Sequence, residues 1–244
     1  MKSNYMFNSF SIVIPIYNEE EILLESVNSI IAMCERTKLS YELILIENGS
    51  TDNTLEIAHS LTSKNNSIKV HSLKKANYGN ALRNGFSLAV NELVVAFDID
   101  YYSESFLNTS LLLEKEFSAL TASKRLQSSE DARRLIRRLA TNFFVYLLKI
   151  LFSTNLSDTH GMKAIKKSEI NKFIDQVVST QDIFDTELLL RIEKNGGKVK
   201  EVPTKINEIR PSVSLIYKRI PRTLKSLIKL RYIFYMESLK TKNL

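Results

Sequence analysis

Four apolar runs separated by helical patterns constrain this chain more than any other feature. The runs are "FSIVIPIY" (10–17), "YELILIE" (41–47), "SIKVHSL" (67–73) and "ELVVAFD" (92–98). Between them lie "EEEILLESVNSIIAMCERT" (19–37) with acids in its first turn, a helix over 52–63 after the turn "GSTDNT", and "NYGNALRNGFSLAV" (77–90). "LVVAF" in the last run is continuously apolar rather than alternating, the pattern of a strand covered on both faces. The alternation predicts right-handed βαβ units, a parallel sheet and ligands at the carboxyl ends of the strands. With 244 residues and 44% hydrophobic content, the chain can build one full core and a short appendage.

The second half is less regular. "SEDARRLIRRLATNFFVYLLKILF" (129–152) reads as one long helix, with four arginines crowded near its start. "IFDTELLLRIEKNGG" (183–197) reads as a helix stopped by Gly196-Gly197, and "KVKEVPTKI" (198–206) as a strand. A basic helix is expected from 212 onward. The basicity belongs to this end: residues 204–244 hold ten Lys/Arg against two Asp/Glu, a local +8 that exceeds the formal +7 of the whole chain and leaves the rest at −1. Lys218, Arg222, Lys225 and Lys229 fall on one helical face. Ile220, Leu224, Leu227, Ile228, Phe234 and Tyr235 lie largely on another. The expected organisation is a domain over 1–211 and a basic amphipathic extension over 212–244. Such a helix suits the headgroup plane of an anionic membrane. The competing arrangement packs its apolar face on the body, or in a homodimer.

Several classes drop out. The single Cys34 cannot form an internal disulfide, and no cysteine–histidine cluster suggests zinc. His59, His71 and His160 do not form a metal triad. No basic segment followed by an apolar one opens the chain, so no signal peptide is expected, and the cysteine usage makes a reducing, cytoplasmic setting the expectation. The longest nearly uncharged stretch, 139–152, contains Lys149 and falls short of the ~20 apolar residues of a membrane span. No RNA-reading motif accompanies the basic tail, so nucleic acid is not an expected partner.

The run ending "VVAFDID" presents Asp98 and Asp100 one residue apart. Alone, they could be turn formers. Their neighbours weigh against that: "IVIPIYNEE", "ELILIENGSTDNT", "YGNALRNGF" and "VVAFDID" occur in this order, each following a strand or leading into a helix. Together they resemble the nucleotide-sugar half of glycosyltransferase family 2, with its α/β, Rossmann-like GT-A fold of mostly parallel sheet flanked by helices. "SDTHGMKAIKKSEI" (157–170) and "FDTELLLRIEKNGGKVKEVPTKINEIRPSVS" (184–214) are similar to the dolichyl-phosphate mannose synthase-like branch, the polyprenyl-phosphate sugar synthases. The resemblance covers roughly residues 10–215.

That resemblance implies roles. Asp98 and Asp100 match the DxD motif that holds Mg²⁺ or Mn²⁺ against a nucleoside diphosphate, with Asp100 the direct ligand and Asp98 shared with the donor. All-oxygen ligation suits either cation, which would neutralise charge growing on the leaving group. Tyr102 stands where the branch often has a further ligand, glutamine. Pro15, Tyr17 and Glu19 fall where the family packs the nucleoside, and Glu47 and Asn48 where two acids are usual. Glu47 could accept from the base, with GDP- and UDP-hexose both open. Arg83 is expected on the same nucleotide-sugar side.

Lys124 and Arg125, after the apolar run "FSALTAS", and Arg134 and Arg138 are expected to bind the diphosphate and an acceptor phosphate. Asp182 of "QDIFDTE" is the candidate base for a hydroxyl acceptor. A phosphate acceptor, with its second pKa of about 6, needs no such help. His160 reads as structural or as lining the acceptor site. The processive synthases' QxxRW motif is absent, and the chain has no Trp. The expected function is inverting transfer of one hexose to a polyprenyl phosphate by an enzyme peripheral to the inner membrane face. A hydroxyl of a lipid-linked or surface glycan is the alternative acceptor, and a degenerate sugar-nucleotide-binding module the alternative class.

Overall fold

The computed structural model of the chain describes residues 5–126, 129–131, 135–206 and 216–242. Its first half follows the alternation read from sequence: β1 (Ser9–Ile16), α1 (Leu23–Thr37), β2 (Ser40–Glu47), α2 (Thr54–Thr62), β3 (Ile68–Ser72), α3 (Tyr78–Leu88) and β4 (Leu93–Ala96). Then come α4 (Glu104–Leu111), β5 (Phe117–Ser123), β6 (Glu130–Asp131), α5 (Leu135–Phe152), β7 (Lys163–Lys166) and α6 (Lys167–Phe173). A 3₁₀ turn at Ile174–Gln176 precedes α7 (Phe184–Lys194), β8 (Lys198–Pro203), β9 (Lys205–Ile206) and α8 (Ile216–Lys242).

Seven strands form one sheet in the order β3-β2-β1-β4-β7-β5-β8. Only β7 runs antiparallel to its neighbours, β4 and β5. The apolar runs are unbroken because alternate residues serve two cores. Ile12, Ile14, Leu43, Leu45, Leu93 and Val95 pack with Leu23, Val27 and Ile30 of α1. Val13, Ile44, Ile46, Val94 and Ala96 pack with Leu82 and Phe86 of α3 and Phe184 and Leu188 of α7. Strand order reverses between β1 and β4, so their carboxyl ends open a crevice at the topological switch point. Pro15 is tolerated in β1 because β4 pairs only as far as Val13.

The second half departs from expectation in three places. The helix expected over 129–152 starts at Leu135; Glu130 and Asp131 instead pair with Lys205 and Ile206 of β9. The strand expected over 198–206 breaks at Thr204, because β8 ends its ladder with β5 at Pro203 before β9 turns to β6. The C-terminal helix is not a free appendage. Leu227, Leu230 and Phe234 of α8 are buried with Leu148 of α5 and Ile183 and Leu190 beside or within α7. Arg191 of α7 also bonds both Glu187 and Glu237. The expectation that Leu227 and Phe234 would insert into lipid is therefore corrected: they are core residues. Ile228 and Tyr235 remain exposed. Among the described residues no helix is long and apolar enough to cross a membrane.

Candidate functional site

The chain leaves β4 in a tight turn. The Asp98 N–H donates to the Tyr101 carbonyl at 3.3 Å and the Tyr101 N–H to the Asp98 carbonyl at 3.0 Å. The Tyr101 hydroxyl bonds Thr204 Oγ1 at 2.6 Å, and Tyr102 packs against the α1-side core. Tyr102 is therefore used for packing, whereas Asp98 and Asp100 border the crevice. The Tyr78 hydroxyl, at the start of α3, donates to Asp98 Oδ1 at 2.9 Å. Desolvation at the hydroxyl, then the carboxylates of Asp98, Asp185 and Asp100, hold this phenol well above its usual pKa although the residue as a whole is 39% exposed, so it remains a donor.

Two clefts meet at this point. The first, of about 430 Å³, is lined by Pro15, Tyr17, Glu19, Asn48, Tyr78, Asp98, Asp100, Gln181, Asp182 and Arg222, among others. The second, of about 500 Å³, runs between α5 and α8, lined by Phe143, Phe144, Leu147, Ile220, Leu224 and Leu227. Its inner end carries Lys124, His160, Gly161 and Asp185. Tyr78, Asp98 and Asp182 border both clefts. A polar crevice thus shares a wall with a largely apolar groove.

The segment carrying Gln181 and Asp182 is fixed from both sides. Arg83 donates to the Ile174 carbonyl at 2.6 Å and to that of Val177. The buried Glu187 carboxylate accepts from the N–H groups of Val178 and Ser179 at 3.0 and 2.8 Å. Gly79 lets α3 abut this segment: a Cβ there would lie 2.6 Å from the Thr180 and Gln181 carbonyl oxygens. Asp182 itself receives Arg222 of α8 through two 2.7 Å hydrogen bonds.

On the far wall, Lys163 is fully buried; its Nζ lies 2.9 Å from Asp185 Oδ2 and 2.6 Å from the Gly161 carbonyl. His160 Nδ1 lies 3.5 Å from Asp185 Oδ1, with its ring stacked on Phe144. Burial alone would raise the Asp185 carboxyl, but Lys163 and then His160 outweigh it and hold it well below the usual range. Lys124 Nζ is 3.9 Å from Asp158 Oδ2 and faces the Tyr101 ring.

The structure therefore brings Pro15, Tyr17, Glu19, Asn48, Asp98, Asp100 and Asp182 to one cleft and Lys124 to the next. It does not bring Glu47 or Arg83 there. Glu47 is buried, its carboxylate accepting from the Ser50 N–H and the Ser72 hydroxyl, and Arg83 is spent on loop carbonyls. Arg125 donates to Asn142 at 2.6 Å, Arg138 is exposed on α5, and Arg134 lies outside the described residues. Sequence reasoning placed Tyr78 within the motif "YGNALRNGF" but gave it no role, and read Arg222 as facing lipid. Among the described residues no group of three or more His, Cys, Asp or Glu converges as a metal cage. Two carboxylates suffice for Mg²⁺ or Mn²⁺ of the type completed by substrate phosphates and water, and Asp98 and Asp100 fit that pattern.

The family model described as Glycosyl transferase family 2 matches residues 11–172. Glycosyltransferase AglD of Haloferax volcanii is 27% identical over 201 residues, which cover 79% of this chain and 32% of that protein. Undecaprenyl-phosphate 4-deoxy-4-formamido-L-arabinose transferase of Shewanella sediminis is 31% identical over 143 residues, 57% of this chain and 43% of that protein. The chain spans less than half the length of either relative. Glucosyl-3-phosphoglycerate synthase of Mycobacterium tuberculosis, solved with Mn²⁺, UDP-glucose and phosphoglyceric acid, matches with a TM-score of 0.69 at 17% identity. That match covers 92% of this chain and 80% of the other, and at this identity it shows the fold alone.

Proposed function

The chain belongs to glycosyl transferase family 2, with the GT-A fold, and on that footing we propose that it moves one hexose from a nucleotide-sugar to a polyprenyl phosphate. The observation that carries this reading is the shared wall of Tyr78, Asp98 and Asp182 between a polar crevice and an apolar groove. The crevice holds the donor, its nucleoside against Pro15, Tyr17 and Asn48 and its diphosphate near Asp98, Asp100 and Arg222. A divalent cation held by Asp98 and Asp100 would neutralise charge on the departing diphosphate. Tyr78 keeps Asp98 in place through its hydrogen bond. The groove takes the first isoprene units, with the phosphate near Lys124. Attack from the groove side, opposite the leaving group, inverts the anomeric centre.

The exposed stripe Leu139, Tyr146 and Ile150 on α5, with Ile228, Tyr232 and Tyr235 on α8, supports a peripheral position at the cytoplasmic membrane face. The pairing of Asp182 with Arg222 disfavours a hydroxyl acceptor that would need Asp182 as a free base. The test is a panel of GDP- and UDP-hexoses with Mg²⁺ or Mn²⁺, offered a short-chain polyprenyl phosphate or a glycan hydroxyl. Metal-dependent, single-sugar transfer to the phosphate alone is expected. Transfer only to the glycan would overturn the acceptor assignment.

A further inference from the structure

We propose that His160, held by Asp185, accepts the remaining proton of the acceptor phosphate as it enters the apolar groove; this rests on the phosphate-acceptor reading above. Asp182, the base suggested by sequence, has both carboxylate oxygens on Arg222. The facing wall offers a different arrangement. His160 Nδ1 lies 3.5 Å from Asp185 Oδ1, and a ring nitrogen facing a carboxylate carries its proton there. That leaves Nε2 as an acceptor on a side chain that is 41% exposed and lines the groove.

The ring is well fixed. It stacks on Phe144 at 5.0 Å, and the residue's backbone is held where its amide N–H donates to Asp158 Oδ1 at 3.0 Å. Six of the neighbouring charged groups are paired: Asp185 of α7 with Lys163 of β7, Asp158 with Lys124, and Asp182 with Arg222. The Asp98 carboxylate, which accepts from the Tyr78 hydroxyl, also borders the groove. From α5, Phe144 brings no charge. A new positive charge on the imidazole therefore meets a carboxylate already in place, with Lys124 as the nearby cation for the phosphate.

In water a phosphate acceptor needs no base; inside the apolar groove a base becomes useful. A phosphate monoester has a second pKa of about 6 in water, and an apolar groove disfavours its dianion and so favours retention of the proton. Transfer of that proton to Nε2 gives an imidazolium and a phosphate dianion. An oxygen of the dianion then bonds to the anomeric carbon. The bond from that carbon to the donor diphosphate breaks, with the electron pair leaving on the diphosphate, and the imidazolium returns its proton to solvent.

The test uses the full chain with Mg²⁺, its nucleotide-sugar and two acceptors: a short-chain polyprenyl phosphate and the matching phosphorothioate, which is more acidic and arrives deprotonated. His160→Gln should lower kcat/KM for the phosphate about 100-fold, leaving donor KM within twofold and the thermal midpoint unchanged. The phosphorothioate should lose far less, which a merely structural histidine would not produce. Equal losses on both acceptors, or a loss below threefold on the phosphate, overturn the proposal while leaving the acceptor assignment intact. If the unsubstituted enzyme uses neither acceptor, the acceptor assignment falls, and this proposal with it.

Discussion

An amide at position 100 would keep the size of the side chain and remove the charge that a hard cation requires. Asp100→Asn is therefore expected to fold normally and lose most transfer, with chelator reproducing the loss in the unsubstituted enzyme; full activity in both would remove the metal role. Asp185 and Lys163 make a different test, of stability. Lys163→Met leaves a buried carboxylate without its cation and should cost about 3–5 kcal/mol in urea unfolding. Because the folded Asp185 carboxyl lies below its unfolded value of about 3.9, the folded state binds fewer protons in acid. Its contribution is thus present above pH ~4 and lost as pH falls through the folded value. A Lys163→Met/Asp185→Leu double variant should flatten that acid dependence of the urea midpoint. Neither residue's partner could be named from spacing.

At the scale of elements, α8 can be divided by face. Leu227→Ala should cost about 2–5 kcal/mol, because it empties a site enclosed by Leu148 and Ile183. The exposed Ile228→Ser should stay within about 0.5 kcal/mol of the parent. Equal effects in chemical denaturation would contradict the packing described. α3 meets the Gln181–Asp182 segment through Gly79, where a methyl group collides with backbone rather than with a yielding side chain. Gly79→Ala is accordingly expected to cost about 1–3 kcal/mol and to lower kcat by displacing Asp182 and Tyr78, an effect visible in steady-state kinetics. The glycine stood within a motif legible in sequence. Its physical reason is the approach of a segment about a hundred residues further along the chain.

For the molecule as a whole, the apolar stripes of α5 and α8 should bring the protein to anionic vesicles in a salt-sensitive manner, each nearby Lys or Arg contributing on the order of 1 kcal/mol. Replacing Tyr146, Ile150 and Ile228 by Ser should abolish cosedimentation while donor hydrolysis persists; undiminished vesicle binding would assign the contact elsewhere. Deleting α8 is not an equivalent test, since it would uncover Leu148, Ile183 and Leu190. The first half of the fold and the DxD carboxylates were readable from residues 10–100, because strand periodicity and turn chemistry are local properties. Antiparallel β7, the break at Thr204 and the burial of α8 were not, since each depends on which distant strand or helix offers a free edge or face. The same division holds within the site. Sequence alone determined the α/β alternation and the placement of Asp98 and Asp100 at a strand end. Only the tertiary structure assigned Glu47 and Arg83 to holding loops, joined Arg222 to Asp182, and set His160 against Asp185, because hydrogen-bond partners across a fold are chosen by proximity in space.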